Sequence, residues 1–499
     1  MGMIDMLSKK ERTMAEILII GGGVAGLSAG IYAQLNGHHA TICEKQTIAG
    51  GNLTGWQRGE YHIDNCIHWL TGTNPKTKTY KMWEDLGALG NVEIYQADIL
   101  YTYEENGIKL SLHRDLDKIE EELIKTAPED KKEIENFIKA VKLVQKRGGI
   151  LDKSKTKHSF IQEMQAIPLL YRYFKLSTGE LALRYKNPLL QGFFTSLMGK
   201  DFAAFALIIV FATFCGGNGG IPKGSSLAMA KRMVKRFKEL GGSLLLDKEA
   251  EQISEGETGA QIVQFSDGTM LTAQYVIITT EPNIAFNHLL NTSIPKDIAK
   301  WYNNPKSARF SSIQCAFACV TDNLPFRADF IFKLPKSEQK ILKSENLIIR
   351  EFSHEKSFAP KGQTIIQSLT FCDEKTCREF IDLRKNTVKY RAKKATIAEK
   401  IKELIEKKFP QLKDKLHCID VWTPATYHRY TNAEIGSYMS FLLPPKTIPK
   451  KLSNVVKGRP KIILASQWLQ APGGLPIAAQ VGKDAIMRII QKEKRRKMG

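Results

Sequence analysis

The chain has 499 residues, 43% hydrophobic and 25% charged, the balance of a globular protein with a large core and two or three domains. Its 73 Lys and Arg against 52 Asp and Glu leave a net charge of +21, a surface that attracts anions. No DNA- or RNA-recognition module accompanies that charge, so nucleic acid is excluded as the expected partner and acidic lipid headgroups or simple solubility remain.

In chain order, Ile17 to Ile20 is an apolar run suited to a strand buried on both faces. Gly21, Gly23 and Gly26 follow in G-x-G-x-x-G spacing, Ser28 to Leu35 reads as a helix stopped by Asn36-Gly37, and His39 to Cys43 reads as a second strand ending in Glu44. In such a unit the first glycine makes the tight turn, the second admits a pyrophosphate and the third lets helix and strand pack closely. The helix start supplies N–H groups to the phosphates, and the acid accepts hydrogen bonds from a ribose diol. Val24 and Ala25, between the last two glycines, and Lys45, beside Glu44, are assigned to the same cofactor-binding set. Further on stand Gly50-Gly51-Asn52 and the stretch from Tyr61 to Trp69, which holds His62, Asp64 and His68.

The turn, the acid, the Gly-Gly pair and the Asp-x-x-x-His stretch together resemble the phytoene desaturase and retinol saturase family of FAD-dependent oxidoreductases, within the wider amine-oxidase-like flavoprotein group. Where that family usually has Arg after the Gly-Gly pair, this chain has Asn52. The resemblance implies an α/β architecture: a discontinuous Rossmann-like FAD-binding domain in segments 15–110, 215–290 and 441–491, and a mixed α+β substrate domain in segments 111–214 and 291–440, followed by a basic tail at 492–499.

Between 111 and 200, Ile134, Phe137, Ile138, Val141 and Val144 recur at helical spacing. Basic and aromatic residues then interleave, from Lys153, Lys155, Lys157 and Phe160 to Tyr171, Arg172, Tyr173, Phe174, Lys175, Arg184, Tyr185 and Lys186. This is either an interfacial membrane contact or a solvated helical face. The apolar run Phe202 to Cys215 is too short to span a bilayer and suits a buried or interfacial helix. The glycine cluster at 216–220 follows a helix rather than a strand and is not a second dinucleotide turn. Leu227, Ala230, Val234 and Phe237 mark a helix, Leu244 to Leu246 a strand, Asp267-Gly268 a hairpin between Gln261–Phe265 and Met270–Ala273, and Tyr275 to Thr279 a buried strand.

Thr396 and Glu399 have capping-box spacing at the start of a solvated helix running to Phe409 and ended by Pro410. The stretch from Trp422 to Tyr430, which includes Tyr427 and His428, resembles a family segment returning toward the flavin. Pro444 to Lys461 reads as an exposed basic loop. Lys461 to Ala465 is a strand, Gly473-Gly474-Leu475-Pro476 opens a helix over Ile477 to Ile490, and Lys494 to Lys497 reads as a disordered tail. In the resembling family this C-terminal helix start lies beside the flavin ring, which adds Gly473, Gly474, Leu475, Pro476 and Ile477 to the cofactor set with Gly50, Gly51, Asn52 and His68.

The implied chemistry is hydride exchange between flavin N5 and a carbon–carbon bond of an isoprenoid, polyene or fatty-acyl substrate, with His68 the first candidate for a catalytic group and Tyr427 and His428 weaker proton donors. The alternatives are a flavin-dependent double-bond isomerase, an amine oxidase, and a prenyl- or lipid-binding protein of the GDP-dissociation-inhibitor type. The electron partner is open. No metal is expected, because His62, Asp64 and His68 lack a fourth ligand. Met1 to Met14 is too polar for a signal peptide, and eight cysteines without a C-x-x-C pair point to reduced thiols. The expected location is cytoplasmic, with peripheral membrane attachment as the sharper version.

Overall fold

A computed structural model describes residues 14–146, 168–447 and 450–498. Its first layer is a five-stranded, all-parallel sheet in the order Ser243–Leu245, His39–Cys43, Glu16–Ile20, Tyr275–Ile278, Ile462–Leu464. Strands so far apart in sequence meet because each is apolar on both faces and must be covered on both. The pleat sends alternate side chains opposite ways. Ile17 and Ile19 pack under the helices Val24–Leu35, Ser225–Glu239 and Leu475–Met498. Leu18 and Ile20 pack instead against the antiparallel strands Ala250–Glu255, Gln261–Phe265 and Met270–Ala273.

The second layer is a seven-stranded sheet in the order Leu416–Trp422, Ser311–Cys319, Thr364–Cys372, Asn346–Glu351, Asp329–Lys333, Ile99–Glu105, Ile108–His113. It is antiparallel except where Asp329–Lys333 runs parallel to Ile99–Glu105. Alternation again divides its faces. Ile331, Ile348 and Leu369 join a helical core that contains Phe137, Phe194 and Phe211, while Phe330, Phe332, Leu347 and Ile349 pack with Ile397, Ile401 and Ile405 on the other side. The hairpin Ile99–His113 straddles the expected boundary at 110, and both of its strands belong to this second sheet.

Several local expectations change. The first helix begins at Val24, four residues before Ser28, because Gly23 is its N-cap. The Lys-rich helix spans Thr387–Lys408 with Asn386 as its cap, so Thr396 lies mid-helix and donates to the Ala392 carbonyl. Thr396 and Glu399 therefore form no capping box, and the helix buries Ile397, Ile401 and Ile405 rather than standing free. Among its described residues the stretch from Pro444 to Lys461 is irregular, with Lys446, Lys450 and Lys457 exposed, but it is tied down at points: Pro444 is buried, Val455 bridges Ile463, and Lys451 pairs with Asp484. The expected tail is the last part of the helix Leu475–Met498, with Glu493 accepting from Tyr275. Tyr173 and Tyr185 are core residues, while Tyr171 is exposed. Lys153, Lys155, Lys157 and Phe160 lie outside the described residues. The apolar run forms the helix Ala204–Cys215, largely buried, and among the described residues no helix is long and apolar enough to cross a membrane.

Candidate functional site

One cavity of about 630 Å³ joins the carboxyl ends of the parallel strands to the second sheet. Gly21 and Gly23 line it, and so do Gly473 and Gly474. The two glycine-lined helix starts, separated by most of the chain, therefore face a single space. Of the cofactor set read from the sequence, Val24, Ala25, Glu44, Lys45, Gly50, Gly51, Asn52, His68, Leu475, Pro476 and Ile477 also line it. Gly26 does not. A Cβ there would stand 1.9 Å from the carbonyl oxygen of Gly21, so its glycine keeps turn and helix in contact.

Gly23 offers the first helix no side-chain cap, and the first N–H groups of any helix lack intrahelical partners. A phosphate is the natural acceptor for them. Glu44 is held in place by the amides of Gly22 (2.7 Å to Oε2) and Gln46 (2.9 Å to Oε1). Burial raises its pKa, against these hydrogen bonds and the Lys45 charge. Lys45 bridges Glu249 and Asn432. Gly50 and Gly51, both at positive φ, press against the turn: Gly50 N donates to the Gly22 carbonyl at 2.9 Å.

At the other end, Gly473 (φ +81°) and Gly474 (φ +98°) adopt conformations that disfavour a side chain. Their own N–H groups are taken by the Gln470 carbonyl (2.9 Å) and by Gln467 Oε1 (2.8 Å). They serve as a close-approach surface rather than as donors, and Leu475 opens the helix.

His68 lies in the wall with Nδ1 3.3 Å from Asp329 Oδ2. Asp329 is gripped by Arg350, Nε to Oδ1 at 2.7 Å and Nη2 to Oδ2 at 3.0 Å, and Arg350 also donates to the Ile67 carbonyl at 3.0 Å. Burial alone would raise the Asp329 pKa, but the Arg350 charge and the hydrogen bonds hold it well below the usual carboxylate range. Burial and the Arg350 charge lower the His68 pKa, with Asp329 opposing them.

Tyr427 also lines the cavity, but its hydroxyl is fully used. It accepts from Gln314 Nε2 (2.8 Å) and Trp422 Nε1 (3.0 Å) and donates to Asn65 Oδ1 (3.0 Å). Asn65 in turn donates to the Asn52 carbonyl (3.0 Å), so this chain of bonds holds the Gly-Gly loop to the second sheet. His428 is not in the wall; its Nδ1 bonds the Ala433 carbonyl at 2.8 Å and closes a turn. Asp64 fixes backbone, accepting from the Ser226 amide (2.9 Å) and hydroxyl (2.8 Å) at the start of the helix Ser225–Glu239. Among the described residues no His, Cys, Asp and Glu cluster could hold a metal. Sequence reasoning missed Asp329, Arg350, Asn65 and Gln314; only Asn65 carried a signal, since it sits inside the Asp-x-x-x-His stretch.

The sequence pattern of the flavin containing amine oxidoreductases matches residues 24–490. The chain belongs to that family. Within it, similar proteins include prolycopene isomerase 1 of an Oncidium hybrid cultivar, 24% identical over 468 residues (89% of this chain, 78% of that protein), and the neurosporene-forming phytoene desaturase of Rhodobacter capsulatus, 22% identical over 314 residues (59% and 57%). Putrescine oxidase bound to putrescine has the same fold with a TM-score of 0.57 at 13% identity, and cyclohexylamine oxidase of Brevibacterium oxydans with 0.58 at 14%, each over 96% of this chain and 99% of its own. The family makes this amine-oxidase-like flavoprotein an oxidoreductase with FAD as cofactor. The cavity fits FAD: it reaches both helix starts, carries a carboxylate beside the first, and is lined by glycines at each.

Proposed function

We propose that this family member forms or removes a carbon–carbon double bond in an elongated apolar substrate of the isoprenoid, polyene or fatty-acyl class. The observation that carries this reading is the wall beyond the two glycine loops, where Phe202, Ala206, Ile209, Val210, Phe310 and Leu369 line the same cavity. Such a wall removes apolar surface from water, roughly 25 cal/mol per Å² of substrate buried, and offers a long chain a dry bed. An ammonium group is served poorly. The carboxylates of the wall are already engaged: Asp329 by Arg350, Glu281 by Arg309, Glu249 by Lys45 and Glu44 by two amides.

Under this reading Gly21, Gly23, Val24, Ala25 and Glu44 hold the adenosine and phosphate side of FAD, and Gly50, Gly51, Gly473, Gly474 and Leu475 hold the side that reacts. FAD supplies two-electron hydride chemistry at its ring. The protein's part is to exclude water, align the chain of carbons, and place His68 for the accompanying proton.

A second reading, double-bond isomerisation without net redox, draws support from the prolycopene isomerases among the relatives, which cover most of this chain. Anaerobic incubation of the purified holoprotein with carotenoid, retinoid and unsaturated fatty acid panels separates the two. A product differing by two hydrogens supports the redox reading, an isomer of unchanged mass supports the second, and turnover of amines alone overturns both. An anionic membrane as the source of substrate belongs to the same proposal. Its support is the +21 charge and the exposed Tyr171 and Leu183. Failure of anionic vesicles to float the protein at low salt would remove it.

A further inference from the structure

We propose that Asp329 and Arg350 are positioning residues that fix the ring proton of His68 on Nδ1, and that Nε2 of His68 is thereby made the proton acceptor and donor of the site. The reaction it serves rests on the reading above; the arrangement itself rests on geometry. Arg350 holds Asp329 through both carboxylate oxygens, at 2.7 and 3.0 Å, and both residues are buried. A carboxylate so held is ionised and only accepts. The 3.3 Å contact from Oδ2 to His68 therefore requires a proton on Nδ1, which leaves Nε2 with a lone pair. Among the described residues Nε2 has no protein partner, and its ring forms part of the cavity wall. Trp69 meets the imidazole edge-on, with centroids 6.5 Å apart and planes at 87°.

The approach to Asp329 is itself constrained. Ala328, immediately before it, stands at φ +59°, a region a non-glycine residue seldom enters. Strain of this sort persists only where surrounding structure enforces it, and it collects at functional positions. Here it turns the chain so that Asp329 opens its strand between His68 and Arg350. The charged neighbours of His68 are Asp329 and Arg350, and behind them stand Glu351 and His354. Burial and the guanidinium both disfavour the imidazolium, so the ring stays neutral at neutral pH.

Desaturation then balances as follows. Bound FAD would supply the two-electron oxidant that takes hydride from one carbon. The C–H bond on the adjacent carbon breaks, its electron pair forms the new double bond, and its proton goes to Nε2. Saturation would run the same transfers in reverse, from reduced FAD and a His68 ring that has first taken a proton on Nε2.

The test reads the tautomer directly, without substrate. Holoprotein labelled with ¹⁵N-histidine is examined by long-range ¹H–¹⁵N correlation at neutral pH, with the His68 signals assigned through His68→Gln. The expected result is a protonated Nδ1 and an unprotonated Nε2 in the wild type, and loss of that preference in Asp329→Asn, whose amide can donate to Nδ1. A wild-type ring protonated on Nε2, or an Asp329→Asn ring with unchanged tautomer, overturns the proposal. Arg350→Gln gives an independent reading should Asp329→Asn fail to fold. Removing the guanidinium is expected to raise the His68 titration midpoint by about one pH unit or more, and an unchanged or lower midpoint overturns the proposal. A barren substrate panel would sink the alkene reading and leave these measurements intact, so the two failures are distinguishable.

Discussion

The hydroxyl of Ser28 donates a 2.6 Å hydrogen bond to the carbonyl oxygen of Ala479, 451 residues further along the chain. The first and last helices are that close because Gly482 has no side chain. A Cβ there would stand 2.3 Å from the Ala25 carbonyl oxygen and 2.9 Å from the Ala29 nitrogen. Gly482→Val is expected to cost about 1–3 kcal/mol through overpacking, and to reduce retained flavin, because Val24 and Ala25 open the helix being displaced. Thermal unfolding and the flavin-to-protein absorbance ratio check both parts.

Glu44 ties the turn to the second strand through Gly22 and faces the same cavity. Glu44→Ala removes a charged acceptor, a loss of about 1.5–3 kcal/mol, which corresponds to FAD affinity lowered on the order of ten- to a hundredfold. Titration of apoprotein with FAD measures this. An affinity unchanged within twofold would show that the ribose is held elsewhere.

Asp64 supplies a pH dependence. Burial raises its pKa from 3.8 to about 6, partly opposed by hydrogen bonds from Ser226 and by the Arg350 charge. A carboxyl whose folded pKa lies above its unfolded value contributes stability below the unfolded value and loses it as pH rises through the folded one. The wild type should therefore lose ground to Asp64→Asn between pH 4 and pH 7, by roughly 2 kcal/mol. Denaturant melts of both proteins at the two pH values give the difference directly; parallel pH profiles would contradict it.

Ala206 lies in the apolar wall and is buried. Ala206→Phe should narrow the substrate arm and lower kcat/KM more than tenfold for a long apolar substrate, while the bound flavin spectrum stays as in the wild type. Loss of the spectrum together with activity would place Ala206 at the cofactor instead.

The strand, turn and helix at residues 16–35 were readable because each signal is local: a short apolar run, three glycines and a stop. The same holds for the hairpin at Asp267-Gly268 and the strand Tyr275–Ile278. Local signals also misled. Thr396 and Glu399 have the spacing of a cap, yet the helix continues nine residues further back to Thr387, because Tyr390 packs into the core and tertiary burial overrides the motif. Pro444 to Lys461 reads as an exposed basic loop and does expose Lys446, Lys450 and Lys457, but composition gives no sign that Val455 and Lys451 are held by partners that follow it in sequence. His68 was visible through its neighbours, whereas Asp329 lies 261 residues away from it and nothing near Asp329 in the chain marks it. The register of the seven-stranded sheet sets Asp329 opposite Arg350, and Arg350 holds the Ile67 carbonyl that precedes His68.

The arrangement of the parallel sheet also has a consequence for biosynthesis. Its outer strand Ile462–Leu464 and the helix Leu475–Met498 leave the ribosome long after the turn at Gly21–Gly26. A nascent chain can fold the nucleotide half of its seat early but has nothing with which to close the other half. On the proposed reading of the site, flavin is expected to be captured only once translation has passed Ala479, and a chain stopped before that point is expected to be colourless.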